Sequence, residues 1–171
     1  MPSRIEIIEQ ESLKAPAETL IFGSTPSLMT EASQAIAVHE AAGPKLALEC
    51  SQLAPCPVGE ARITRGHNLH FKYLIHAVPP QWGGGEQGED ERLAACYKNS
   101  LHLAASYSTD SIAIAPLARD TEFPEARAAH IAMSELLNFL ETKKEFHGIV
   151  LCCHDPDLAE AYEAAFDRCT V

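Results

Sequence analysis

Short apolar runs alternate along this chain with longer segments whose apolar positions recur at helical spacing. Ile5 to Ile8 and Thr19 to Phe22 read as strands. The second is an unbroken apolar run suited to a buried position. Glu31 to Ala42 reads as a helix stopped by Gly43 and Pro44, and a short helix follows from Leu46 to Leu53. Ala61 to Thr64 and Tyr73 to Val78 read as strands. Residues 79–88, rich in glycine and proline, form a connection expected to be flexible. In the helix expected from Glu89 to Tyr107, Leu93, Cys96, Tyr97, Ser100, Leu101 and Ala104 share one face. A strand from Ser111 to Leu117 precedes a helix from Pro124 to Glu141, with its proline at the first position. Gly148 to Cys153 is a continuous apolar run expected to be a central strand. The last helix opens with Asp155 as cap and Pro156 at its first turn. This alternation predicts an α/β domain of three layers, with helices on both faces of a central mixed sheet.

Composition adds limits. The 171 residues suffice for one domain with a sizeable core, expected to span 1–171. Acidic residues outnumber basic ones 24 to 13, a net charge near −11. That balance disfavours a nucleic-acid polymer or an anionic membrane as partner. No apolar segment is long enough to cross a bilayer, and the first residues lack the apolar run of a signal peptide, so a cytoplasmic location is expected. The six cysteines make no Cys-x-x-Cys pair and read as reduced thiols. Cys152, Cys153 and His154 lack a second ligand cluster, so no metal site is assigned, and no motif implies a cofactor. His76 falls within a buried strand pattern and reads as a core histidine rather than a catalytic one.

Four segments carry a resemblance. His39 to Pro44 has the form His-x-Ala-Ala-Gly-Pro; Cys56 to Gly66 ends in Gly-Glu-Ala-Arg-Ile-Thr-Arg-Gly. Tyr73 to Val78 reads Tyr-Leu-Ile-His-Ala-Val, and Cys96 to Leu101 lies in the long helix after it. In this order and at these separations they resemble the macro domain, a fold best known for binding ADP-ribose. The resemblance implies the three-layer α/β/α fold and a ligand crevice above the strand that ends near Phe22. Gly59 and Gly66 are expected where a Cβ would obstruct the backbone.

The loops around that crevice depart from the family pattern. Phe22, Gly23, Ser24 and Thr25 stand where the family has Asn-Ala-Ala-Asn. Thr30, Glu31, Ala32 and Ser33 replace four glycines, Ala35 replaces the usual reactive aspartate, and Ile36 replaces a further glycine. Glycines there let peptide N–H groups approach a diphosphate. A unit charge on Glu31 about 5 Å from an anion would cost about 3 kcal/mol at an effective dielectric near 20. That is roughly a hundredfold in affinity, reduced if the side chain points to water. The second phosphate loop aligns with Ala118 to Glu122 before Phe123 and Pro124, without its glycines. Arg119 either contacts a phosphate or belongs to a solvated turn, and Asp120 and Glu122 oppose the first role. Glu11 either accepts an adenine N–H bond or is an exposed loop carboxylate.

No residue is therefore assigned a catalytic role. The foremost expectation is a non-catalytic module with lost or altered ADP-ribose binding, taking a small ligand or a protein surface. The alternative is an enzyme with a rebuilt site acting on an ADP-ribose-like or other nucleotide metabolite, with Glu31, His39, Arg119, Asp120, Glu122 and His154 as candidate groups. A third is assembly into a homo-oligomer through an apolar crevice around Phe22, Leu117 and Phe123.

Overall fold

Alternate residues of a strand face opposite sides of its sheet, and here both sides are apolar. The computed structural model describes residues 4–144 and 146–170. Among these, β1 (Ile5–Glu9), β2 (Thr19–Gly23), β3 (Ala61–Arg65), β4 (Tyr73–Ala77), β5 (Ser111–Ile114) and β6 (Gly148–Cys153) form one sheet in the order β1-β6-β5-β2-β4-β3. Only β3 runs antiparallel to its neighbour, β4; the other pairings are parallel. The sheet is mixed, as expected.

Two cores lie on its two faces. Ile21, Ile75, Ile112, Ile114 and Leu151 pack against α3 (Glu89–Ser106), α4 (Glu125–Thr142) and α5 (Pro156–Cys169). Leu20, Phe22, Leu74 and Ala113 pack against α1 (Ser33–Ala42) and α2 (Pro44–Leu53). The result is the three-layer α/β/α architecture. Asp155 caps α5 by accepting a hydrogen bond from the Leu158 N–H at 2.8 Å, with Pro156 in the first turn.

Several boundaries differ from the sequence reading. α1 begins at Ser33 rather than Glu31, because Ala32 is extended and Glu31 turns back toward Thr25 and Ser27. β5 ends at Ile114; Pro116 has no N–H to continue the ladder. Residues 79–88 are not a free connection. Gly83, Gly85 and Gln87 each donate a peptide N–H to the Glu89 carboxylate, at 2.8, 2.9 and 2.7 Å. Gly66 meets the expected steric demand, since a Cβ there would lie 1.8 Å from the Phe71 carbonyl oxygen. His76 is fully buried, with Nε2 at 2.9 Å from the Thr64 hydroxyl.

The topology places the site. The chain leaves β2 for α1 on one face, and it leaves β5 for α4 on the other. Adjacent parallel strands with connections to opposite faces open a crevice at their carboxyl ends. Here that point lies between β2 and β5.

Candidate functional site

Three adjoining crevices occupy this end of the sheet. The first, of about 330 Å³, is lined by Gly23, Ser24, Thr25, Pro26, Glu31, Ala32, Val58, Val78, Pro79, Gln81, Arg119, Asp120 and Thr121. The second, of about 450 Å³, lies over the end of β1 and is lined by Gln10, Glu11, Ser12, Leu13, Ser33, Gln34, Ala37, Arg119, Cys152 and His154. A third, of about 220 Å³, runs between Arg119, Asp120, Glu122, Phe123, His154 and Tyr162. Arg119 lines all three.

The loop after β2 is held by short-range hydrogen bonds. Ser24 donates its N–H to the Ala77 carbonyl at 2.7 Å, which continues the strand by one residue. Leu28 then takes a positive φ of 62° and donates its N–H to the Thr25 carbonyl. The Thr25 hydroxyl donates to Glu31 at 2.9 Å, and Ser27 donates to the same carboxylate oxygen. These bonds, that of Ser27 foremost and then that of Thr25, lower the Glu31 pKa, so the side chain stays anionic beside the crevice.

The loop after β5 crosses to meet it. Asp120 accepts from the Ser33 N–H at 3.0 Å and from the Ser33 hydroxyl. Ala32, at the cap position of α1, gives the helix no side-chain cap. Asp120, 87 residues away in the chain, satisfies that orphan donor instead. The loop is pinned from behind: Trp82 donates its N–H to the Thr121 carbonyl at 2.9 Å and packs its ring 4.7 Å from Phe123. The Arg127 guanidinium lies 5.0 Å from the Trp82 ring and forks onto both oxygens of Asp90 at 2.8 and 2.6 Å.

Two polar groups at the site stand without partners among the described residues. The Ser24 hydroxyl is buried, in a residue only 4% exposed, and makes no hydrogen bond. The Arg119 guanidinium is exposed and forms neither an ion pair nor a hydrogen bond with any described residue. An unpaired cation and an unsatisfied buried hydroxyl, in residues that line one crevice, suit a polar, anionic ligand. Among the described residues there is no cluster of three or more His, Cys, Asp or Glu that could hold a metal ion, and no helix is long and apolar enough to cross a membrane.

Not every residue singled out from the sequence belongs to this surface. Gly23, Ser24, Thr25, Glu31, Arg119 and Asp120 line the first crevice; Glu11 and Ser33 line the second, and Phe123 the third. Phe22, Ala35 and Leu117 are corrections: each is wholly buried and lines none of them. Phe22 packs inward against the His76 ring at 4.7 Å, and Leu117 donates its N–H to the buried Tyr97 hydroxyl. The apolar crevice expected around Phe22, Leu117 and Phe123 does not form: Phe22 and Leu117 belong to the cores on opposite faces of the sheet, and of the three Phe123 alone lines a crevice described above. No hydrogen bond joins Glu31 to His39, whose Nε2 lies 3.1 Å from the Leu28 carbonyl oxygen. The candidates Glu122 and His154 line the third crevice together, without a hydrogen bond between them. Gln34, Val58, Gln81 and Thr121 were not singled out. Gln34, Val58 and Thr121 lie within segments that the resemblance aligns and Gln81 in the 79–88 connection, but nothing in their residue types marks them as crevice-lining.

This arrangement has counterparts. The macro domain profile matches residues 25–132. A macro domain-containing protein of Methanosarcina mazei is 39% identical over 166 residues, covering 96% of this chain and 89% of that protein. This chain belongs to the macro domain family. The O-acetyl-ADP-ribose deacetylase of Escherichia coli K12 is 34% identical over 168 residues, covering 95% of each chain. Among solved structures, the Oceanobacillus iheyensis macrodomain with ADP superposes with a TM-score of 0.88 at 26% identity, covering 96% of this chain and 90% of that one. As a macro domain, this chain keeps the family's scaffold. At the α1 N-terminus, where the resemblance implies a glycine cradle, it carries the Asp120–Ser33 bridge.

Proposed function

We propose that this macro domain binds an ADP-ribose-class nucleotide across the crevices at the carboxyl ends of β2 and β5, and does so without hydrolysing it. The observation that carries the reading is the pair of unpartnered groups, the buried Ser24 hydroxyl and the exposed Arg119 guanidinium, at one site. The guanidinium fork suits a phosphate, and the hydroxyl suits a sugar. The relatives' ligands, ADP in the Oceanobacillus protein above all, support the ligand class. The non-catalytic part rests on side-chain chemistry. Ala35 offers a buried methyl, and the Thr25 hydroxyl is already committed to Glu31.

Glu31 favours a second reading. Its carboxylate lines the crevice, and a relative carries the name O-acetyl-ADP-ribose deacetylase. A general base there would activate water against an acyl ester. Its depressed pKa makes it a weak base, which ranks this reading second.

Titration calorimetry of the full chain with ADP-ribose tests the binding. Saturable one-site heat is expected, and its absence at millimolar ligand overturns the proposal. Chromatography of O-acetyl-ADP-ribose incubated with the protein tests the chemistry. No product above a mock preparation is expected, whereas turnover abolished by Glu31→Gln establishes the second reading.

A further inference from the structure

Asp120 does more than cap a helix. Its carboxylate sits on the first N–H of α1, between the crevice that holds Ser24 and the crevice that holds Glu11. Ser33 lines the second crevice and Asp120 the first and third, so the bridge between them ties the linings of neighbouring spaces together. A helix N-terminus attracts an anion through its dipole and its free peptide N–H groups. Here the molecule supplies that anion itself. Arg119, the neighbouring residue, stays unpaired although the carboxylate is one residue away. Asp120 holds this position at a φ of 70°, a backbone region that a non-glycine residue occupies at a cost.

Resting on the proposed ADP-ribose-class reading, we infer that Asp120 is an internal competitor for the phosphate groups of the ligand, a strap that a diphosphate must displace from Ser33 before the two crevices join. The independent sign that the space is a ligand site is the Ser24 hydroxyl, buried and unsatisfied at the wall of the first crevice. A ligand spanning both crevices runs its charged middle past the Asp120–Ser33 bridge. Two anions cannot share one helix N-terminus without strong repulsion. The carboxylate therefore swings away and its two hydrogen bonds are lost. Arg119 needs no such rearrangement, because no internal partner has to be broken. An uncharged nucleoside occupying only the second crevice does not meet the carboxylate and is indifferent to it. The site is thus selective by charge: the strap weakens a diphosphate ligand and leaves a neutral fragment untouched.

Calorimetry on the full chain, with ADP-ribose and adenosine as the two probes, separates these cases. Asp120→Gly suits the positive φ and removes the carboxylate; Asp120→Asn keeps the shape and removes the charge. Asp120→Gly is expected to bind ADP-ribose about tenfold or more tightly than the parent, the scale of a lost charged hydrogen bond, with adenosine unchanged. Asp120→Asn is expected to move the same way by less. Equal ADP-ribose affinity in parent and both variants overturns the strap and leaves the proposed function standing. Weaker binding in the variants overturns it too, since Asp120 would then be a ligand contact. Tightening of both probes alike marks general loosening of the loops and also overturns it. If neither parent nor variants bind ADP-ribose, both readings fall together. Should one Asp120 variant fail to melt cooperatively, the other and Ser33→Ala, which removes only the hydroxyl bond, carry the same prediction.

Discussion

The chemistry of this macro domain turns on single side chains placed where backbone is expected. Glu31 is kept anionic by the Ser27 and Thr25 hydroxyls, and Asp120 is kept at Ser33 by two hydrogen bonds. Arg119 is the free cation of the set. Arg119→Ala is expected to weaken ADP-ribose binding about tenfold by calorimetry, with adenosine affinity altered far less. The weakening should shrink as salt is raised, because an exposed charge is screened within about 8 Å at physiological ionic strength. The loss of the glycines was plain in the sequence, residue by residue from Leu28 to His39. The partner of Asp120 was not, for that contact joins loops 87 residues apart. The apolar run Thr19 to Phe22 already implies burial, yet its alignment with the crevice motif outweighed that sign for Phe22, and Leu117 is buried likewise. Alignment gives a position along the chain, whereas the direction of a side chain depends on strand parity at the strand's end.

Elements were easier to read than loops, for physical reasons. β2 and β6 are continuous apolar runs, and α3 shows its buried stripe at helical spacing; each signal is repeated several times within one element. The cap of α5 was legible because Asp155 and Pro156 act on their immediate neighbours. The start of α1 was not, since a distant carboxylate caps it. Two variants test these local claims. Asp155→Ala is expected to destabilise the fold by about 1 kcal/mol in urea denaturation, the typical worth of a lost N-cap. Gly66→Ala is more severe. Its new methyl would meet the Phe71 carbonyl oxygen at 1.8 Å, within the turn that sets the β3–β4 register. A loss on the order of 3 kcal/mol or more is expected, read as a lower urea midpoint with an unchanged slope.

At the scale of the whole molecule, acid acts on this fold through His76 and Glu89. Burial, and then the charge of His39, holds the His76 pKa down at about 3 from an ordinary 6.5. The unfolded chain therefore binds a proton that the folded chain refuses, so stability is full above pH 6.5 and falls as pH drops toward about 3. Glu89 acts lower on the scale. Peptide N–H groups, that of Gly85 foremost, keep its carboxylate ionised down to about pH 2 against an ordinary 4.5. Its contribution is complete above pH 4.5 and disappears as pH falls to about 2. Urea midpoints measured across this range should show both losses. His76→Gln should flatten the upper part of the curve, and Glu89→Gln the lower part, at the price of a less stable protein at neutral pH.

One margin of the sheet is also a question of colloidal behaviour. β3 has β4 on one side only, and a bare strand rim invites pairing with another chain. Glu49 occupies part of that rim by accepting the Arg65 peptide N–H at 3.2 Å, and the charged Arg62 and Arg65 side chains flank it. A solution of this protein should thus resist fibril growth for as long as one glutamate keeps its grip on that amide, and the first lateral contact between concentrated molecules should form where the grip is released.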